Sequence, residues 1–236
     1  MILYNFAETT YIKYMLRKLI LFIFLLAVIL LNSALAQAGS QESWSLRTDK
    51  NGVKVYTRSV KGSQMKEFKG ETYVKCTLGS LANLIDDISS YPKWMYNCKS
   101  AERIKKISIR EGYSYYVNSC PWPLDDRDIV IHYYMKQDPL TKEIVINMIG
   151  EKSYIPEKKN YIRVPNFRGI WQFTPEKNGL VKVTYQTYSE TGGTVPSSLV
   201  NAFSVDLPYN TLLNLKNKLN NTKAGEFKSP TIISEP

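Results

Sequence analysis

The sequence predicts an α+β fold, a curved antiparallel sheet wrapped around one long C-terminal helix. Three observations lead there. Between residues 53 and 189, apolar and polar residues alternate with a period of two in segment after segment, the mark of strands with one wet face. Turn signals at Asn51-Gly52, Asp138-Pro139 and Lys177-Asn178-Gly179 separate these segments, so successive strands run antiparallel. Beyond Gly192-Gly193 the period changes, and Leu199, Val200, Phe203, Leu207, Leu212, Leu215 and Leu219 mark the apolar stripe of a helix.

Taken in order, residues 41–46, with Trp44, are expected to form a short helix over the edge of the domain. Strands follow at 53–59 and 67–75, where Phe68, Thr72 and Val74 alternate with charged residues. Thr77 or Ser80 caps a short amphipathic helix carrying Leu81, Leu84, Ile85 and Ile88 at helical spacing. Pro92 then begins a helical turn that carries Trp94 inward. Three hairpins are expected next, pairing 101–108 with 113–119, 128–137 with 143–150, and 161–174 with 180–189. Residues 151–160, with Pro156 and several charges, read as an exposed loop. Pro196 suits the first turn of the last helix, which extends to Leu219, and Pro208 is expected to kink or split it. Residues 221–236, polar with two prolines, are expected to be a disordered tail.

The N-terminus reads as a leader rather than as part of the fold. Met15-Leu16-Arg17-Lys18 is basic, 19–31 is uninterruptedly apolar, and Ala34-Leu35-Ala36 fits a small-residue cleavage site. An apolar run of 13 residues is short of the roughly 20 needed to span a bilayer. Residues 1–36 are therefore expected to be a signal peptide, 1–14 an upstream extension of it, and 37–220 a single domain destined for the periplasm or the extracellular space. The formal charge of the chain is +10. Loss of the leader removes three basic residues and one acidic, leaving +8. For an exported chain this balance points to transient contact with an anionic membrane surface rather than to nucleic acid, with simple solubility as the competing reading. Cys76, Cys98 and Cys120 allow at most one internal pair, and Cys98 and Cys120, at the same end of one hairpin, are the pair expected if there is one.

The stretch 118–130 stands out. Pro121-Trp122-Pro123 cannot join a sheet ladder and must present Trp122 from a connection. Asp125, Asp126, Arg127 and Asp128 follow, leading into an alternating strand. With 17 tyrosines and 4 tryptophans, the chain has many side chains suited to line a pocket for a mostly apolar ligand, although such residues also populate ordinary sheet faces.

Several motifs in order give the chain a specific resemblance. Gly52-Val53-Lys54-Val55-Tyr56-Thr57-Arg58, Tyr91-Pro92-Lys93-Trp94-Met95 before Asn97-Cys98, Pro121-Trp122-Pro123 with Arg127-Asp128, Arg168-Gly169-Ile170-Trp171, and Gly192-Gly193 ahead of Pro196 all resemble a StAR-related lipid transfer (START) domain of bacterial secreted type. The resemblance covers 44–219. It implies a helix-grip fold of the START and Bet v 1-like kind, with a tunnel for one lipid or sterol-like molecule, and a monomeric carrier that moves it between membranes.

It also implies that Trp122 and Phe203 act as a lid, and that Trp94, Tyr115, Trp171 and Tyr185 line the tunnel wall. Arg127 and Asp128 either anchor a polar headgroup or form a salt-bridged network pinning the loop. No cofactor or metal is implied. Two other readings stay open: a cyclase- or aromatase-like enzyme acting on a bound substrate, and a lipid sensor that does not transfer. His132 is the one histidine and is expected on the Val130/Tyr134 face of its strand. No Gly-x-Ser-x-Gly, His-Glu-x-x-His or Cys-x-x-Cys motif is present, so serine-hydrolase and zinc chemistry have no support.

Overall fold

The computed structural model describes residues 43–220, Ile23 and Pro236, with the side chains of 197–199 and 202–204 excepted. The expected leader and tail otherwise lie outside these residues. Ten strands and two α-helices follow in the order β1 (Ser45–Lys50), β2 (Val53–Ser59), β3 (Lys66–Lys75), α1 (Leu78–Asp86), a 3-10 stretch (Ile88–Lys93), β4 (Cys98–Lys106), β5 (Glu111–Asn118), β6 (Arg127–Gln137), β7 (Ile144–Gly150), β8 (Ile162–Arg163), β9 (Asn166–Pro175), β10 (Leu180–Glu190) and α2 (Ser197–Asn220). One sheet takes all ten strands, in the order β1-β2-β3-β10-β9-β7-β6-β5-β4, with β8 pairing parallel to β6 off this path. The other pairings are antiparallel, so each strand shows one face to the core and one outward.

The alternation fixes which face is which. In β2, Val53 and Val55 are buried while Lys54 is exposed, and in β10 Val181, Val183 and Tyr185 face the core. Thr77 caps α1, its hydroxyl accepting a hydrogen bond from the Ser80 amide at 3.1 Å. Burial of Leu78, Leu81 and Leu84 then ties α1 to the core.

Two expectations fail here. Of the expected helix at 41–46, residues 41 and 42 lie outside those described, and Ser45 and Leu46 belong instead to β1, which pairs with β2 from Lys50↔Val53 to Ser45↔Thr57. Asn51 and Gly52 have φ of 54° and 72°. Two consecutive positive φ angles suit a tight hairpin turn, and this turn recruits the preceding residues as a strand.

Pro208 does not split the last helix, which runs unbroken from Ser197 to Asn220. An interior proline costs about 3 kcal/mol or more. Against that, Tyr209, Leu212, Leu215 and Leu219 are all buried, at roughly 1.5–3 kcal/mol for a large apolar side chain, so packing wins. Pro208 is itself buried over β3. A Cβ added to Gly70 would lie 2.6 Å from Leu212 Cδ1 and 3.2 Å from Pro208 Cβ, so the glycine is what lets helix and strand approach this closely.

The polar contacts of α2 are specific as well. Asn214 Nδ2 donates to the Trp94 carbonyl at 2.9 Å, and Asn51 Nδ2 to the Tyr209 hydroxyl at 2.6 Å.

Candidate functional site

The sheet and α2 do not close completely on one another. Among the described residues, three adjoining chambers have volumes of about 200, 130 and 30 Å³. Front and middle chambers share Phe68, Asn118, Val164, Ser189 and Leu207, while middle and rear share Tyr91, Tyr116 and Met148. Strand β6 traces the path: Arg127 lines the front, Ile129 and Ile131 the middle, Tyr133 and Met135 the rear. Alternate residues of a strand share a face, and at about 3.3 Å per residue the path from Arg127 to Met135 is roughly 26 Å long.

The front chamber lies between the 118–124 connection, β10 and its end, and the N-terminal part of α2. Its walls are mostly apolar, with Pro121, Leu124, Val164 and Leu207 among them. Two basic residues, Lys66 and Arg127, line it as well, and of these Arg127 is only 6% exposed. The guanidinium donates to the Thr191 carbonyl at 3.4 Å and to the Asp125 carbonyl. Among the described residues it forms no ion pair with a carboxylate. Both hydrogen bonds go to carbonyls, while its charge also helps hold the neighbouring Asp126 carboxyl below the usual range.

The connection itself is held at its base. Asp126 accepts from the Lys99 ammonium at 2.7 Å and from the Cys120 amide at 3.1 Å. The hydrogen bond from Lys99 is the main reason its carboxyl titrates below the usual range.

The middle chamber is aromatic. Trp171 stacks on Tyr185 with ring centroids 4.0 Å apart and 14° between planes. The Tyr185 hydroxyl meets no hydrogen-bond partner among the described residues, and burial raises its pKa. At the far end Tyr116 stacks on Tyr91 at 5.6 Å, and the Tyr91 hydroxyl donates to the Ile85 carbonyl at 2.7 Å.

Of the residues expected at the site, Arg127, Trp171 and Tyr185 line these chambers. The others are placed differently. Trp94 is buried behind the wall, edge-on to Tyr91 at 5.2 Å with its indole N–H on the Ser90 hydroxyl at 3.2 Å. Tyr115 faces the opposite side of the sheet, where it packs with Val117 and Val130. Its neighbour Tyr116 takes the cavity position, because successive strand residues point to opposite faces.

Trp122 is 92% exposed and lines no chamber. The Leu124 amide donates to the Pro121 carbonyl at 2.9 Å, closing a turn that points Pro121 and Leu124 inward and leaves Trp122 at the tip. The side chain of Phe203 lies outside those described.

Arg127 and Asp128, adjacent in β6, part company for the same alternation. Asp128 is fully buried on the outer side, accepting from Arg163 Nε at 2.9 Å, Arg163 Nη2 at 3.0 Å and the Tyr115 hydroxyl at 2.9 Å. Arg163 also donates to the carbonyls of Lys152, Ile155 and Pro156. The salt-bridged network is therefore present, but its cation is Arg163, a residue the sequence did not single out. What it pins is the 151–162 loop.

His132 also sits on the outer side, stacked on Tyr113 at 4.7 Å and 2.8 Å from a Glu111 carboxylate oxygen. Cys98 and Cys120 are not joined, so the expected Cys98–Cys120 bond is absent. Cys98 lies near the cavity, its thiol pushed up to about 11 by burial.

Comparison with known proteins fits this geometry. The family model for the START domain matches residues 30–210. The chain belongs to the START domain family. An uncharacterized protein of Pseudomonas aeruginosa is 37% identical to this START protein over 175 residues, 74% of this chain and 86% of that one. Among solved structures, the STAR-related lipid transfer protein from Xanthomonas axonopodis is 34% identical, with a TM-score of 0.71 over 75% of this chain and 99% of that one. Human StAR-related lipid transfer protein 5 shares the fold at a TM-score of 0.66 and 18% identity, over 82% of this chain and 94% of that one. The helix-grip architecture expected from the sequence is thus the architecture of the family, and lipid binding is its general property.

Proposed function

We propose that this START protein takes one lipid into the cavity, with the apolar chain in the middle chamber and the polar head at Arg127, and carries it as a monomer between membranes. The observation that carries this reading is a buried guanidinium, without a carboxylate partner among the described residues, at the front of an apolar path. An anionic or strongly polar headgroup supplies the direct ionic partner the guanidinium lacks, and the chain gains about 25 cal/mol for each Å² removed from water. The stacked Trp171 and Tyr185 give that chain a flat, rigid wall, and the unpartnered Tyr185 hydroxyl offers one donor partway down. Front and middle chambers together stand near the lower end of the roughly 300–1,000 Å³ range of ligand sites, a size suited to a single chain.

Membrane contact fits the tip of the 118–124 turn. Trp122 projects into solvent beside the front chamber, and an amphipathic ring of this kind partitions to the headgroup level of a bilayer. With a net charge of +8 expected after removal of 1–36, the protein is drawn to anionic lipid. In this reading Trp122 is an anchor rather than a lid. The leader-like residues 15–36 favour a site of action outside the cytoplasm.

The test is transfer of a fluorescent fatty acid between phosphatidylglycerol vesicles, alongside direct binding. Arg127→Gln removes charge-assisted hydrogen bonds of about 1.5–3 kcal/mol, so binding should weaken by about tenfold to a hundredfold. Trp122→Ala should slow transfer while binding in solution stays as it is. Wild-type binding without vesicle-to-vesicle transfer would favour a sensor and refute the carrier.

A further inference from the structure

The rear chamber is cut off from the middle one by a single braced aromatic layer. Tyr116 borders both chambers, and it is held on two sides. Its hydroxyl accepts from the buried Ser114 hydroxyl at 2.9 Å, and its ring lies 5.6 Å from that of Tyr91, at 21° between planes. Tyr91 in turn is fixed to α1 through the Ile85 carbonyl. Met148 completes the partition from β7.

Beyond it the walls are again mostly apolar, with Ile85, Ile88, Met135 and Ile146 beside Asp86 and Arg110. Asp86 there accepts from Arg103 Nη2 at 2.7 Å. A mostly apolar space thus lies past the partition, although its volume of about 30 Å³ is only about one water's share of liquid.

We propose that Tyr116 is the end wall that sets how long an apolar chain the cavity accepts, and that the rear chamber is the subsite a longer chain tip fills when that wall is shortened. This rests on the lipid-binding reading above. The wall acts by exclusion: a chain tip that reaches Tyr116 must either stop or displace a ring held by stacking and by a hydrogen bond. A flexible apolar side chain at the same place would give way instead, and selection by length would be lost. Tyr116 is therefore a specificity-determining residue, distinct from Arg127, which selects the head.

The experiment measures binding of the straight-chain fatty acids from dodecanoate to eicosanoate to the wild-type protein and to Tyr116→Ala, Tyr116→Phe and Met148→Ala. The readout is the chain length at which affinity peaks, taken independently of absolute affinity. In wild type, affinity should rise to one length and then fall. In Tyr116→Ala the peak should move at least one member up an even-carbon series, and Met148→Ala should move it in the same direction. Tyr116→Phe keeps the ring and should keep the peak. Thermal melts identify any variant that does not fold, in which case Tyr116→Leu replaces Tyr116→Ala. A peak that stays in place in every folded ring-removing and Met148 variant overturns the wall while leaving lipid binding intact. Failure of the wild type to bind any member overturns the lipid reading and the wall with it.

Discussion

Asp128→Asn separates architecture from binding. The substitution keeps the side chain's shape but removes the negative charge that faces Arg163, leaving a buried guanidinium with neutral partners only. Both residues are buried, the side chains 1% and 3% exposed, so solvent does not screen the loss. Breaking a buried pair by removing one partner costs about 3–5 kcal/mol. For a domain of this size each kcal/mol moves Tm by roughly 2–4 °C, which puts the expected fall at about 6–20 °C.

Because Arg163 also holds three carbonyls of the 151–162 loop, trypsin should cut faster at Lys152, Lys158 and Lys159. Below the transition, fatty-acid binding should be unchanged, since Asp128 faces away from the cavity. Differential scanning calorimetry, limited proteolysis and a binding titration on the same preparation test all three. A Tm within about 2 °C of wild type, or no change in cleavage, would refute the claim that this pair pins the loop. So would full additivity with Arg163→Gln, because residues joined in one network do not act independently.

Gly70→Ala should destabilise the fold by about 1–3 kcal/mol in a denaturant melt, since the new methyl meets Leu212 at 2.6 Å and overpacking costs about that much. The protein should also unfold in alkali. Cys98 has its folded-state pKa raised from 9.0 to about 11, so its contribution is fully present below the unfolded value and is lost as pH climbs through the folded one. The buried phenols of Tyr91, Tyr116 and Tyr185 are shifted in the same direction, chiefly by burial. Their phenolate absorbance should therefore appear together with loss of structure, not before it. At mildly alkaline pH, iodoacetamide should label Cys98 far more slowly than a free thiol, because little thiolate is present.

Most of the sheet was legible because alternation is a local signal. Strands β2, β3, β5, β6, β7 and β10 fall within two residues of where the period of two places them. What failed depends on partners. Residues 45–50 carry no alternation of their own and become a strand only because β2 offers an edge across the Asn51-Gly52 turn. Pro208 reads as a break in isolation, yet the helix continues because it is packed over Gly70. At the site, Arg127 and Trp171 are readable from motifs, whereas the sequence points to Tyr115 where the structure has Tyr116, a one-residue difference that a strand converts into opposite faces. Arg163 was missed because its role comes from a parallel contact of β8 with β6, and no spacing in the sequence announces that pairing. The one available signal was its position just after a charged, proline-containing loop that needed an anchor.

The sheet order has a consequence for how the chain is made. Strand β3 pairs with β10, so Thr72 waits for Val183, and the floor of the cavity cannot form until almost the whole domain has left the ribosome. Until then β3 and β9 each keep a bare edge, and the apolar faces that will enclose a lipid have no helix over them. Pairing of such long sequence separation is slow to form. The cavity is therefore among the last features of the domain to close.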